Sequence, residues 1–268
     1  MKMATSFLLG LGLLAGLSLP AAADDHLAEI AAGDHRPDAW VERNEYRNPV
    51  ETLQFFGLEP DMTVIELFPG GGWYSSILAP YLKDEGQFVA AHWDMEKDDL
   101  PDFYRDAYAS YVERFSDTDQ YGDIDIIAFD PPNRNSLGED GTADMVLTFR
   151  NVHGFKRDGV FGDVLNAASA VLKRGGVLGV VGHRLPEDRS EPESFTGYIK
   201  QSWVVGMAES HGFRLVEASD INANPADTAD HPSGVWSLPP SLREGEETAD
   251  QFRAIGESDR FTLKFVKR

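Results

Sequence analysis

The sequence predicts an α/β protein built on a doubly wound, mostly parallel sheet with helices on both faces. Three observations lead to this fold class. Apolar runs of strand length alternate with helical patterns along most of the chain, which is the order that parallel sheets require. The apolar run Val64–Phe68 ends in Pro69 and a glycine cluster, and a helical pattern follows. The run Val177–Gly182 is almost wholly apolar, as expected for a strand buried on both faces.

The remaining elements follow in chain order. Apolar runs predict seven strands, which are Thr63–Phe68, Gln87–His92, Asp125–Phe129, Ala143–Phe149, Val177–Gly182, Phe213–Ala218 and Phe261–Val266. Helical spacing of apolar residues predicts helices over Asp38–Gly57, Trp73–Leu82, Leu100–Phe115, Gly159–Leu172 and Tyr198–His211. The stretch Ile221–Glu247 is the one long irregular region. Long irregular segments in compact domains are usually functional or disordered, and we expect this one to be ordered and to cover the active site.

Composition limits the classes of function. The chain has 268 residues and a formal net charge of -21. This length suits one large α/β domain. The acidic balance argues against nucleic acid as a partner, because binding to phosphates relies on Lys and Arg. There is no cysteine, so no disulfide bond contributes to stability.

The N-terminus has the pattern of a secretory signal peptide. Lys2 precedes the apolar run Phe7–Leu19, and the small residues Ala21–Ala23 follow. We expect cleavage after Ala23, a mature domain over residues 24–268 and a periplasmic or secreted location. The alternative is a membrane anchor, but the run is short for a span of about 20 residues. No second long apolar run follows, so we expect no stable membrane insertion after cleavage.

Polar and glycine residues collect where the predicted strands end. In parallel sheets, ligands bind beyond the carboxyl ends of the strands, near the point where strand order reverses. The segments at these ends are 69–72, 92–94, 130, 150–153 and 183–184. We therefore expect the functional site at this edge of the sheet.

Three segments resemble the class I S-adenosylmethionine-dependent methyltransferases: VIELFPGGGWYSSILAP, ADMVLTFRNVHGF and LKRGGVLGVVGHR. The tail INANPADTADHPSGVWSLPPSLR and the end IGESDRFTLKFVKR resemble a narrower, exported group of predicted methyltransferases. The resemblance covers nearly all of the chain after the signal peptide. It implies a Rossmann-like methyltransferase fold, with seven strands and one antiparallel strand near the edge of the sheet. It also implies S-adenosylmethionine as the cofactor and transfer of a methyl group to a small-molecule or exported acceptor.

The glycine turn carries most of this resemblance. The family motif has an acidic residue, here Glu66, with glycines two, four and six positions later. Gly70 and Gly72 match, whereas Phe68 stands at the first glycine position and narrows the space expected for the methionine moiety. The resemblance implies that the turn binds the cofactor through Glu66, Phe68, Pro69, Gly70, Gly71 and Gly72. Alternatively, Glu66 caps a helix or pairs with a buried cation, and the glycines permit close helix–strand packing.

Two further positions, Asp94 and Asp130, match cofactor-binding positions of the family, and Arg150 is another candidate. Asp94 ends the second strand and would bind the ribose hydroxyls, with His92 as an alternative. Asp130 follows the third strand and would contact the adenine. Arg150, after the fourth strand, would bind the cofactor or form a structural ion pair. Asp94 and Asp130 have a second interpretation as turn formers, because Asp bonds its own backbone.

Two residues after the fourth strand, His153 and Asn151, are the candidate catalytic residues. O- or N-methylation is helped by a general base, and His153 is our candidate for that base. His153 and His183 are also compatible with structural roles, because a histidine at a strand end readily bonds backbone groups. Asp227, Asp230 and His231 do not have the spacing of a recognised metal site, so we predict no metal.

Export conflicts with methyl transfer, because S-adenosylmethionine is made in the cytoplasm. The sequence therefore leaves a second function open. In that alternative, the protein is a non-catalytic or diverged periplasmic small-ligand-binding protein on a methyltransferase fold. Phe68 and the signal peptide favour this alternative, whereas Glu66, Gly70 and Gly72 favour the methyltransferase.

Overall fold

In a computed structural model we describe residues 20–268, with side chains from residue 25 onward. The predicted signal peptide lies outside the described residues, except for the backbone of residues 20–23, which begins helix α1 (Pro20–Ala31). Its cleavage and the single mature domain therefore stay predictions. Across residues 20–268, no helix is both long and apolar enough to traverse a bilayer.

A mostly parallel sheet forms the centre of the molecule. Its strands are β1 (Thr63–Leu67), β2 (Gln87–His92), β3 (Asp125–Ala128), β4 (Ala143–Phe149), β5 (Leu172–Leu185), β6 (Ile199–Lys200), β7 (Phe213–Ser219) and β8 (Arg260–Lys267). In the described part of the chain their order is β3-β2-β1-β4-β5-β8-β7, and the short β6 pairs with β5. β8 is antiparallel to both of its neighbours. The predicted fold class is therefore confirmed, including the antiparallel strand near the edge.

Helices cover both faces of this sheet. They are α2 (Asp38–Val41), α3 (Asn44–Arg47), α4 (Pro49–Phe56), α5 (Ser75–Leu82), α6 (Asp102–Arg114), α7 (Thr118–Tyr121), α8 (Val152–Arg157), α9 (Phe161–Val171), α10 (Gln201–Ser210) and α11 (Glu246–Ile255). A single turn of 3-10 helix lies at Gly234–Ser237. Helices α1, α7, α8 and α11 were not predicted from the sequence.

Two of the boundaries that differ from the predictions have an identifiable physical cause. The predicted helix Asp38–Gly57 is three short helices, and its main break is at Asn48, which has a φ of 39°. The following Pro49 disfavours helical backbone at the preceding residue, and Asn tolerates the left-handed region. β5 begins at Leu172 rather than Val177, because Leu172 already pairs with Ala143 before the register shifts.

Side chains of the central strands alternate between two apolar layers. Ile65 and Leu67 pack into the layer formed with α8, α9 and α10. Val64 packs on the opposite face with Ile77 of α5. Because successive strand residues point to opposite faces, Glu66 lies on the same face as Val64. The strand pattern thus directs this carboxylate toward the start of α5.

Candidate functional site

Two adjoining cavities lie at the carboxyl ends of the parallel strands. The first has a volume of about 600 Å³ and the second about 640 Å³. Four residues line both cavities: Phe68, Asn151, His153 and Trp236. The two cavities therefore meet at the turn after β1 and the start of α8, which are among the strand-end segments predicted to form the site.

The glycine turn is open on one side and tightly packed on the other. A Cβ added to Gly70 or Gly71 would meet no atom within 4 Å, and both residues line the first cavity. A Cβ on Gly72 would lie 2.2 Å from the ring of Phe115, and Gly72 lines neither cavity. Gly70 and Gly71 thus present bare backbone to the cavity, whereas Gly72 allows the turn to pack against the end of α6.

Phe68 keeps the backbone conformation that a glycine would take. Its φ is 47°, in the left-handed region that costs energy for a bulky side chain. Its ring centroid lies 5.6 Å from those of Phe129 and Phe155 and 6.3 Å from that of Trp93. The aromatic contacts hold the ring between the two cavities, so the chain makes the motif's turn without its first glycine.

Glu66 is a buried carboxylate at the end of β1. It is 2% exposed, and its Oε2 accepts a hydrogen bond of 2.7 Å from the Ser75 hydroxyl at the start of α5. Burial raises the pKa of Glu66 to about 7. Among the described residues its hydrogen-bond partner is a hydroxyl and not a cation, and Glu66 lines the first cavity. A ligand with a positive group would therefore find a carboxylate without an ion pair.

His92 and Asp94 lie outside both cavity linings. Nδ1 of His92 accepts the backbone N–H of Trp93 at 3.0 Å, so its Nε2 carries the proton and donates to the Gly70 carbonyl at 3.2 Å. Burial lowers the pKa of His92 to about 4, which keeps the ring neutral. His92 thus supports the glycine turn. Asp94 accepts a hydrogen bond of 2.9 Å from Arg134, and its contact with ribose stays a prediction.

Asp130 lies in the second cavity, as part of a polar group beside aromatic walls. Its Oδ1 accepts a hydrogen bond of 2.9 Å from Lys97. The rings of Trp93 and Tyr104, with centroids 4.5 Å apart, line the same cavity. Flat apolar surfaces next to hydrogen-bonding groups suit a planar heteroaromatic ring.

Asn151 holds the turn after β1. Its side-chain amide donates to the Leu67 carbonyl at 2.9 Å and to the Thr148 hydroxyl at 3.2 Å. An amide has no basic nitrogen, so these contacts give Asn151 a positioning role between β1 and β4. Asn151 also lines both cavities, and its catalytic role stays a prediction.

His153 lies where the two cavities meet. Burial and the nearby charges of Arg157 and Arg150 lower the pKa of His153 to about 4. Its ring centroid is 5.4 Å from that of His183 and 5.8 Å from that of Trp236. His183, whose Nδ1 lies 2.5 Å from the Ser258 hydroxyl, has a pKa that burial lowers well below its ordinary value. Burial therefore favours the neutral form of both imidazoles.

Four arginines surround one buried carboxylate beside the first cavity, a feature that sequence reasoning missed. Glu257 lies 2.6 Å from Arg43, 3.1 Å from Arg47 and 3.0 Å from Arg260. Burial alone would raise the pKa of Glu257, yet the guanidinium groups, Arg47 foremost, hold it at about 2. The fourth arginine, Arg150, lines the cavity as well. The available signal was the i, i+4 spacing of Arg43 and Arg47 in a strongly acidic chain.

The irregular segment after β7 forms one wall of the first cavity. Val235, Trp236 and residues 239–241 line it. The segment is tied down through Asp227, which accepts hydrogen bonds from Tyr198 at 2.9 Å and from the Asp259 backbone N–H at 2.8 Å. His231 lies 2.8 Å from the same carboxylate. Asp227 and His231, considered above as a metal site, thus belong to a structural network.

The fold is the mixed α/β arrangement seen in S-adenosylmethionine-dependent methyltransferases. Neither a family model nor a curated protein matches this chain, but solved structures resemble its fold. A SAM-dependent methyltransferase from Aquifex aeolicus is 14% identical, with 91% of this chain and 98% of that chain covered and a TM-score of 0.57. The arsenic(III) methyltransferase from Chlamydomonas reinhardtii is 16% identical, with 90% and 73% covered and a TM-score of 0.51.

A third similar structure carries a different activity in its name. The [4+2]-cyclase SpnF is 13% identical, with 91% of this chain and 92% of that chain covered and a TM-score of 0.58. Likeness at this level of identity concerns the fold, and one fold hosts several chemistries. The reaction must therefore be inferred from the residues of the site.

Substitutions at neighbouring glycines should separate packing from ligand space. We expect Gly72→Ala to destabilise the protein by about 2 kcal/mol or more, because a Cβ there clashes and the positive φ is strained. Gly71→Ala, with no atom within 4 Å of its Cβ, should change the free energy of unfolding by less than about 0.5 kcal/mol. Denaturant unfolding of both variants measures this. Equal effects would contradict the assignment.

Glu66 should make stability depend on pH. Its folded pKa of about 7 exceeds its ordinary value of 4.5, so between these values the native state binds more protons than the unfolded state. Stability then falls as pH rises through this window, by on the order of 2–3 kcal/mol from this group. We expect the free energy of unfolding to fall less between pH 5 and pH 8 in Glu66→Gln than in the wild type. In Glu51→Gln, which changes an exposed carboxylate, the fall should equal that of the wild type. Urea unfolding at the two pH values checks this, and parallel wild-type and Glu66→Gln curves would refute it.

Proposed function

We propose that this protein is an S-adenosylmethionine-dependent methyltransferase that acts on a small-molecule or exported acceptor. The observation that carries this proposal is the turn after β1. There, bare backbone at Gly70 and Gly71 and the unpaired carboxylate of Glu66 face one cavity, and a second, aromatic-walled cavity adjoins it. This combination offers one place for a cationic amino-acid moiety and another for a planar base.

The residues present fit the cofactor. In this proposal Glu66 attracts the methionine ammonium, and Gly70 and Gly71 let the methionine moiety approach the backbone. Asp130 and Trp93 would contact the adenine in the second cavity, and Asp94, which lies outside the lining of both cavities, remains our candidate for the ribose contact. The bound cofactor supplies a methyl group activated by its sulfonium, so the protein needs mainly to align the acceptor and exclude water.

His153 is the residue that we propose as general base. It lines both cavities, so it faces the place where cofactor and acceptor would meet. Its depressed pKa keeps it unprotonated at neutral pH, the state needed to take a proton from an acceptor oxygen or nitrogen. Trp236, which belongs to the irregular segment and lies next to His153, would limit the access of water to this point.

We also propose that the protein is periplasmic or secreted. The predicted signal peptide supports this location, which requires the cofactor to reach that compartment. The alternative, a ligand-binding protein or an enzyme with another reaction, is favoured by Phe68 at the first glycine position and by the similarity to a cyclase.

Calorimetric titration with S-adenosylmethionine and S-adenosylhomocysteine tests the cofactor. We expect micromolar dissociation constants. Glu66→Ala and Gly70→Val should each weaken binding by about tenfold or more, since they remove a charge partner and fill the open turn. Arg253→Met, on the exposed face of α11, is the matched control and should bind like the wild type. Absence of binding by folded wild-type protein would exclude the methyltransferase proposal.

A further inference from the structure

The arginines beside the first cavity carry more positive charge than the protein around them neutralises. We call Arg43, Arg47, Arg150 and Arg260 the arginine cluster. Glu257 is the carboxylate that three of them share. The chain as a whole has a net charge of -21, so the cluster is a local reversal of sign. Buried charges are costly unless they are paired, which indicates that a further anion belongs here.

Two groups of the cluster lack a partner. Nη1 of Arg47 is buried and has no hydrogen-bond partner, although the Arg47 side chain is only 4% exposed. Among residues 20–268, Glu257 is the one acidic residue that forms ion pairs with the arginine cluster. Its partners are Arg43, Arg47 and Arg260, and Arg150 is not within ion-pair distance of it. Arg47 and Arg150 both line the first cavity. Both arginines therefore border the cavity, and Nη1 of Arg47 is a donor that no described residue uses.

The proposed cofactor does not provide the missing negative charge. S-adenosylmethionine carries an ammonium, a sulfonium and a carboxylate, which sum to one positive charge. Even with Glu66 ionised against the ammonium, the cofactor and Glu66 together are neutral, and the arginine cluster keeps its excess. The remaining anion must come from the other molecule in the site.

We propose that the methyl acceptor is a small acid, whose carboxylate or phosphate is bound in the first cavity by Arg43, Arg47 and Arg150. This inference rests on the proposed function. Guanidinium groups match both oxyanions through paired, charge-assisted hydrogen bonds. The acid is held in the cavity that His153 also lines, so a hydroxyl or amine elsewhere on the same molecule can reach that base.

The cavity walls define the rest of the acceptor. Trp73 packs under the Arg47 guanidinium, 4.6 Å from its ring centroid, and Tyr74 stacks on Phe149 at 3.5 Å. Trp236 is part of the same lining. Aromatic side chains next to guanidinium groups favour a flat apolar body with an acidic group at one end.

Three probes test this inference on protein saturated with S-adenosylhomocysteine: benzoate, its neutral analogue benzamide, and inorganic phosphate. We expect benzoate or phosphate to bind at least about tenfold more tightly than benzamide, because the anion meets unpaired guanidinium groups. The tighter of the two anions identifies the oxyanion that the cavity prefers. Calorimetry measures each affinity.

Arg150 provides the decisive variant, because its removal leaves Glu257 with its three ion pairs. Arg150→Gln should weaken anion binding by about tenfold, Arg150→Lys should restore part of it, and Arg253→Met should have no effect. The affinity for S-adenosylhomocysteine should change by less than about threefold in all three variants.

Other outcomes overturn the inference in distinguishable ways. If the anions bind no better than benzamide, the cavity does not select acids. If Arg150→Gln lowers the affinity for S-adenosylhomocysteine but not for 5′-methylthioadenosine, which has no carboxylate, then the arginine cluster binds the carboxylate of the cofactor. If anions bind and S-adenosylhomocysteine does not, the proposed function fails and the acid is not a methyl acceptor.

Discussion

The site depends on the ion pairs that the buried carboxylate of Glu257 forms with three arginines. The carboxylate joins Arg43 and Arg47, which precede α4, to Arg260 at the start of β8. Arg43 and Arg47 lie 214 and 210 positions from Glu257 along the chain, so these two ion pairs fasten the N-terminal helices to the segment that leads into β8. Removal of one partner of such a group leaves unpaired buried charge, which is strongly destabilising. The ion pairs that hold the N-terminal helices in place therefore also form part of the wall of the first cavity.

A second constraint acts at the turn after β1. The chain must leave the sheet sharply while Glu66 stays buried, and this requires left-handed backbone at residues 68, 70 and 72. Phe68 occupies such a conformation at a cost that its contacts with Phe129 and Phe155 offset. His92 and Asn151 hold the turn from two neighbouring strands. Strain retained by surrounding contacts is common where a protein binds ligands.

Much of the fold followed from local patterns. The seven predicted strands are present because their apolar runs are long, and buried parallel strands have few alternatives. Boundaries failed where a short-range effect or a long-range pairing intervened, as at Asn48 and Leu172. The helices α7 and α8 are too short to show a periodic pattern of apolar residues. In α11 the first turn contains Glu246 and Glu247, so the apolar pattern is weak at its start.

The sequence by itself determined the sheet, the turn after β1 and the cluster of polar residues at the strand ends, because these depend on neighbouring residues and on strand direction. The tertiary structure decided which of those residues face a cavity. It directs Glu66, Asp130 and His153 inward, assigns His92 and Gly72 to support and packing, and gathers the arginine cluster. Contacts between residues about two hundred positions apart, such as Arg47 with Glu257, leave no local pattern, since they arise only when the N-terminal helices pack against the last strand.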